Sequence, residues 1–277
     1  MAKCEIIIVK YGLPELEAEC VSSVEEHTQD VEYVLTAHDN YEADEGLSKV
    51  WNDLIRASDA EYICLLNNDT RVEAAWLSRL LECFEEDDKL GAVGPMTNKS
   101  TGPQGNCRKF QTKHKRLMVV KYPLVGFCIV FPKSVWEEIG GFDEEFELYG
   151  EDSDFCMEVQ EHGYTTAIRT DVFIFHHGMS STPIAEARGK DILALKKKAK
   201  ELFISKWHTP ERMAVAQAAI AKKTQTGSAA QANRAANADR AKQVAKAIQR
   251  SAAQKRADAK FNALKAAMAP PGTGGNK

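Results

Sequence analysis

In Glu61-Tyr62-Ile63-Cys64-Leu65-Leu66-Asn67-Asn68-Asp69-Thr70 an unbroken apolar run stops abruptly at three polar side chains. A run this short, ended by turn formers, predicts a buried strand over Glu61–Leu66 with its polar residues at the carboxyl end. The sequence on either side reads as helix. Upstream, Gly46–Ser58 carries Leu47, Val50, Trp51, Leu54 and Ile55 at helical spacing. Downstream, Ala74–Glu86 carries Leu77, Leu80, Leu81 and Phe84 on one face. Helix, strand, helix is the repeating unit of an α/β protein.

Working outward, the same alternation continues. Residues 5–9 (Glu-Ile-Ile-Ile-Val) predict a strand and Pro14 to His27 a helix, with proline in its first turn. A strand over Glu32–Ala37 runs into His38-Asp39-Asn40, and a short one over Gly91–Val93 stops at Gly94-Pro95. Residues 97–117 are polar, basic and glycine-rich, which predicts a flexible basic loop. Beyond it come a strand (Leu124–Phe131), a helix (Lys133–Ile139) and a Gly140-Gly141-Phe142-Asp143 turn. The acidic run Glu151-Asp152-Ser153-Asp154 opens a further helix, and a last strand, Thr166–Phe175, ends at His176-His177-Gly178. Such alternation builds a mostly parallel, Rossmann-like sheet flanked by helices, whose ligand crevice lies beyond the carboxyl ends of the strands. Asp39-Asn40 and Asn67-Asn68-Asp69 both fall at such ends.

The chain has 277 residues, 44% of them hydrophobic, and a formal net charge of −4. That argues against a nucleic-acid binder throughout. The charge is unevenly spread: from Glu211 onward thirteen Lys/Arg face three Asp/Glu, so the preceding residues carry a net −14. Residues 1–182 are expected to form the α/β domain and 183–226 a helical segment packed on it. Residues 227–268, rich in Ala, Lys, Arg and Gln, predict a basic helix, and 269–277 a flexible tail. For the basic helix a solvated face, a homo-oligomerisation arm and an electrostatic contact are the competing readings. Seven scattered cysteines without a CxxC pair predict neither a disulfide framework nor a zinc knuckle. No apolar run nears the ~20 residues that span a bilayer, and no signal-peptide pattern opens the chain. A cytoplasmic location is the expectation.

Three constellations could carry chemistry. Asn67, Asn68 and Asp69 at a strand end are hard oxygen donors suited to Mg²⁺ or Mn²⁺ with phosphate oxygens; an Asx-turn capping the next helix is the competing reading. Glu151 and Asp152 could include a general base; acids at a helix start also complement its dipole. Of His176 and His177, adjacent on a strand, at most one enters a shared site.

Together with their order along the chain, these motifs resemble the nucleotide-sugar-dependent glycosyltransferases of the GT-A fold, in particular the inverting family two. The resemblance rests on Ile6-Ile7-Ile8-Val9-Lys10-Tyr11, Asp39-Asn40, Asn52, Asn67-Asn68-Asp69-Thr70, Trp76-Leu77 and Val93-Gly94-Pro95. In the second half it rests on Val125-Gly126-Phe127-Cys128, Ile139-Gly140-Gly141-Phe142-Asp143, Tyr149-Gly150-Glu151-Asp152, Gly163-Tyr164 and Phe175-His176-His177-Gly178. It covers about residues 4–180, with a looser echo at Lys206-Trp207, and leaves the tail unexplained.

The resemblance implies a GT-A domain with an all-α C-terminal extension. It implies a metal-dependent inverting glycosyltransferase acting on a UDP-, GDP- or dTDP-linked sugar. Asp39 and Tyr11 would contact the donor base, with Asn40, Asn52 and Asn68 lining its pocket. Asp69, Asn67 and His176 would hold Mn²⁺ or Mg²⁺, with His177 as the fallback, and Asn67 stands where many relatives have Asp. Asp152 would be the general base, Glu151 and Gly126 would face the acceptor, and Asp154 would be structural. The rival enzyme is a nucleotidyltransferase on a related sheet, for which Lys10-Tyr11-Gly12-Leu13-Pro14 is a poor phosphate loop. The rival of another class is a non-catalytic scaffold working through its helical tail.

Overall fold

The computed structural model describes residues 3–100, 102–105, 116–210 and 212. The chain divides into two units, Met1–His208 and Thr209–Lys277, and the first contains the sheet and its helices. The expected basic helix 227–268, the tail 269–277 and residues 106–115 of the basic loop lie outside the described residues.

In chain order the elements are β1 (Cys4–Lys10), α1 (Pro14–His27), β2 (Tyr33–Asp39), α2 (Leu47–Ala57), β3 (Tyr62–Leu66), β4 (Thr70–Arg71) and α3 (Trp76–Glu86). They continue with β5 (Leu90–Thr97), β6 (Leu117–Val120), β7 (Cys128–Pro132), α4 (Lys133–Ile139), α5 (Glu151–Glu161), β8 (Thr165–His176), α6 (Thr182–Ala187) and α7 (Ile192–Trp207). The strands form one eight-stranded sheet in the order β2-β1-β3-β7-β5-β8-β4, with β6 on β8. β2, β1 and β3 run parallel, as do β5 and β8, while β7 inserts antiparallel between β3 and β5.

The strands alternate two apolar sets because both faces are covered. Ile6, Ile8, Cys64, Leu66, Cys128 and Val130 join the core that holds Cys20 and Val24 of α1 and Trp76, Leu77 and Leu80 of α3. Ile7, Ile63, Leu65, Ile129 and Phe131 point to the opposite core, shared with Trp51 and Ile55 of α2 and with Phe155 and Val159 of α5. Fully burying each such side chain contributes ~1.5–3 kcal/mol. The result is a run with no polar break, the sequence signature of a strand buried on both sides. The described cysteines Cys4, Cys20, Cys64, Cys128 and Cys156 are free and buried, acting as small hydrophobes, and Cys83 is buried as well.

Several boundaries differ from the sequence-based expectation. The strand expected from Leu124 begins at Cys128. The backbone N–H groups of Val125 and Gly126 are drawn to the side chains of Gln104 and Asp152 instead of a neighbouring strand. The two-residue β4 and the half-exposed β6 are too short or too weakly patterned to be read from sequence. β4 proves decisive for the site: Thr70 pairs with His176 and Arg71 with Phe175, antiparallel.

Candidate active site

A cavity of about 300 Å³ opens beyond the carboxyl ends of β1 and β3. Val9, Leu47, Trp51, Leu66 and Phe127 give it apolar walls, and its polar lining includes Tyr11, Asn40, Asn67, Asn68, Asp69, Gly126, Glu151, Asp152 and His176. Residues from β1, β3, α5 and β8 thus converge in one place.

Asp69 sits just after β3 and is buried. Its Oδ2 accepts the backbone N–H of Gly178 at 3.0 Å, and its own carbonyl accepts that of His177 at 3.0 Å. Gly178 has φ +74°, a conformation that suits glycine and turns its N–H back toward Asp69. Burial acts to raise the Asp69 carboxyl, but His176 and Ser180 outweigh it and hold the group below its ordinary value. His176 Nε2 lies 3.2 Å from Asp69 Oδ1, yet the pair is not in hydrogen-bond geometry and Nε2 has no hydrogen-bond partner. On the other side of the ring, Nδ1 faces the carbonyl of Lys99 at 3.3 Å. A carbonyl can only accept, so Nδ1 is the donor in that contact, and Nε2 is the ring nitrogen turned toward the carboxylate. Phe127 stacks on the ring at 5.2 Å, and Asn98 brackets the His176 backbone N–H and carbonyl.

A ring nitrogen and a carboxylate oxygen converging at 3.2 Å suit a cation ligand pair, with the far ring nitrogen oriented by a carbonyl. Mn²⁺ or Mg²⁺ fits this donor set, since such ions often take one or two protein ligands and complete their shell with phosphate and water. Among the described residues, no group of three or more His, Cys, Asp or Glu is arranged to hold a metal. His177 is turned away, 3.7 Å from Glu19 and edge-on to Phe175, as strand alternation requires.

The second half of the cavity is the first turn of α5. Tyr149 and Gly150 both have positive φ, a sharp bend that aims the turn inward. Asp152 Oδ2 accepts the Gly126 N–H at 2.8 Å, and Oδ1 accepts from the backbone and hydroxyl of Ser153. Burial raises the Asp152 carboxyl, and these hydrogen bonds offset part of that. Gly126 lines the cavity, and its backbone is also approached by Asp152. A Cβ there would stand 3.2 Å from the Asp152 Cβ. Glu151 lies against Asp152, and one of its carboxylate oxygens has no partner.

Asp39 and Asn52 are not among the residues lining the cavity. The Asp39 side chain is 63% exposed at the end of edge strand β2, where it accepts the Tyr41 N–H and stands 3.8 Å from Lys10. Asn52 is buried and fully engaged: its amide donates to the Phe142 carbonyl and to Glu144, and its oxygen accepts from Trp136 and the Phe142 N–H. Asn40 lines the cavity but spends its side chain on both backbone groups of Glu45. Asn68 donates to Glu17.

Glu17 does not stand out in the sequence, because an acid in the first turn of a helix reads as a dipole partner. In the structure its Oε1 accepts the N–H groups of Tyr11 and Leu13 as well as Asn68, fixing the turn after β1. That carboxylate occupies the place where a phosphate-cradling loop would need free N–H groups. Lys190 carries no sequence signal either; it lines the cavity and pairs with Asp44, which accepts from Tyr11 as well. Asp154 is held by Trp207 Nε1 at 2.7 Å and Lys206 Nζ at 3.0 Å, so the weak Lys206-Trp207 echo is a latch of α7 onto α5.

Residues 62–198 match the family model described as glycosyl transferase family group 2. Over those residues the chain is similar to the family-two glycosyltransferases. Its mainly parallel sheet flanked by helices resembles the GT-A fold. The match spans β3 to α7 and so contains Asp69, Gly126, Glu151, Asp152 and His176. One similar solved structure is that of GalNAc-T7 with UDP, GalNAc and Mn²⁺, at TM-score 0.48 and 12% identity over 73% of this chain and 54% of that one. The chain thus spans about half the length of that structure. No curated protein matches the sequence. No helix among the described residues is long and apolar enough to cross a membrane.

Proposed function

We propose that this domain is a metal-dependent inverting glycosyltransferase that moves a sugar from a nucleoside-diphosphate donor (UDP-, GDP- or dTDP-linked) to an acceptor hydroxyl. The observation that supports it is the convergence of Asp69, His176 and Asp152, remote in sequence, on one cavity.

Asp69 and His176, with the amide oxygen of Asn67, would hold Mn²⁺ or Mg²⁺. When bound, that ion would offset the charge that builds on the leaving diphosphate. The donor set alone is poor in positive charge, since Glu45, Glu147 and Asp152 share the cavity with Asp69. A diphosphate entering there needs a counter-charge, and Lys190 on the cavity wall is a protein cation able to supply part of it. Tyr11, held in place by Glu17 and Asp44, flanks the nucleotide end.

Asp152 is the general base. Its carboxylate takes the proton of the acceptor hydroxyl while that oxygen bonds to the anomeric carbon. The bond from that carbon to the nucleoside diphosphate breaks on the opposite face, which inverts the centre. Gly126 and Ser153 hold the carboxylate in place through hydrogen bonds, and burial makes it a stronger base than a solvated aspartate.

The test is release of nucleoside diphosphate from a panel of UDP-, GDP- and dTDP-sugars with Mn²⁺. Slow hydrolysis of one donor is expected. Asp152→Asn should cut acceptor-dependent transfer by ~10²–10⁴-fold and leave nucleotide binding unchanged. Unchanged transfer in that variant removes Asp152 from the base role, and the absence of any thermal shift with nucleotide and Mn²⁺ favours a non-catalytic scaffold.

A further inference from the structure

Glu151 has no part in the proton transfer assigned to Asp152. It opens α5, faces the cavity at 9% exposure, and its Oε2 is buried with no hydrogen-bond partner. The neighbouring Asp152 has both oxygens occupied by protein donors. Two adjacent carboxyl groups therefore share one buried corner of the cavity, one of them saturated and the other with an unpartnered oxygen.

We infer that Glu151 is held as an uncharged carboxylic acid and offers its proton to a hydroxyl or carbonyl oxygen of the sugar substrate beside Asp152. This rests on the sugar-transfer reading for the identity of the ligand, though not for the state of the proton. The physical reason is that two carboxylates confined together cannot both ionise cheaply, as in paired-acid sites. The one with donors from Gly126 and Ser153 keeps the charge, and the one with only its own backbone N–H and an unpartnered Oε2 keeps the proton. Burial first, and then the charge of Asp152, push the Glu151 carboxyl up to about 8.

The other ionisable groups around the cavity have partners of their own. Glu45 pairs with Lys49, Glu147 with Lys198, and Lys190 with Asp44. Asp69 faces His176 and Gly178, Tyr11 donates to Asp44, and Tyr149 stands beside Thr182. On α5 itself Asp154 is engaged by Lys206 and Trp207, and from α7 no hydrogen bond reaches Glu151 Oε2. A protonated carboxyl both donates and accepts, which matches a sugar hydroxyl and disfavours an ammonium group. The roles divide accordingly: Asp152 removes a proton, and Glu151 selects an oxygen-bearing neighbour of the reacting centre.

Infrared difference titration of the full chain from pH 5 to pH 9 tests the proton directly. A protonated-carboxyl band is expected at pH 7 in the wild type and absent in Glu151→Gln. Its absence from the wild type, or its persistence in Glu151→Gln, overturns the proposal. Thermal unfolding reads the same state: a carboxyl raised in the fold loses stability as pH climbs from its ordinary value to its folded one, so Glu151→Gln should gain several degrees over wild type by pH 8 and none near pH 4. A constant difference overturns it. Should Glu151→Gln not fold, Asp152→Asn decides, because removing that charge must move the band's disappearance to lower pH; an unmoved titration overturns the assignment. With Mn²⁺ and the donor panel, Glu151→Gln, which still donates, should hydrolyse the accepted nucleotide sugar at least tenfold faster than Glu151→Ala. Equal loss in both overturns the donor role. If the wild type hydrolyses no donor, the sugar falls as ligand while the infrared result still settles the proton.

Discussion

Asp152 and Asp69 are both buried carboxyls, and their surroundings move them in opposite directions. Asp69 is held down by His176 and Ser180 against the effect of burial, so it is ionised across the physiological range and suited to a cation. Asp152 is raised, because burial outweighs the donors supplied by Gly126 and Ser153. A base works only when ionised, so turnover should fall as pH drops through the raised Asp152 value, at a higher pH than an ordinary aspartate would impose. A pH–rate profile of kcat/KM reads this directly, and an acid limb at the ordinary aspartate position would contradict it. His176→Ala should weaken nucleotide-dependent Mn²⁺ binding at least about tenfold, measured by calorimetry, with little change in nucleotide binding without metal. Of the expected pair, strand alternation decides between His176 and His177, a distinction that adjacent identical residues do not reveal.

At the scale of elements, the site depends on short pieces. β4 contributes two residues, yet its pairing with β8 sets Asp69 beside His176. No periodicity can be read from two residues, so that element is invisible in the sequence while the box before it is plain. α1 shows the same asymmetry. Its extent, Pro14 to His27, is legible from proline and four-residue spacing, but the use of Glu17 is not. Glu17→Ala strands the N–H groups of Tyr11 and Leu13 and the amide of Asn68. Some of these can turn to water, so a loss of about 2–4 kcal/mol in chemical denaturation is expected, together with weaker nucleotide binding. A variant with unchanged stability would show that the turn after β1 does not need its clamp.

On the scale of the molecule, the sheet gathers residues 9 to 190 into one cavity, and α7 closes the domain from the far end. Trp207 is buried and Lys206 joins Asp143, Asp154 and Glu158, all near 3.0 Å. Burial disfavours the Lys206 charge, but these three carboxylates outweigh it and raise its ammonium above the ordinary range. The division after His208 makes a sharp expectation. A chain ending at His208 should melt with the full-length protein in differential scanning fluorimetry. One ending at Phe203 loses the latch on buried Asp154 and should melt several degrees lower. Equal melting of the two would show that α7 is not part of the folded unit.

The amino-acid sequence by itself determined the alternation of strands and helices, the class of the sheet, and the strand tips at which chemistry must lie. Those follow from local rules: apolar runs must be buried, and polar residues after them emerge at strand ends. Only the tertiary structure decided which polar residues face the cavity. Asn52 satisfies a turn, Asp39 stays in solvent on an edge strand, Gly126 yields its N–H to Asp152, and Glu151 is left with an open oxygen. Hydrogen-bond saturation depends on neighbours distant in the chain, and no local pattern encodes it.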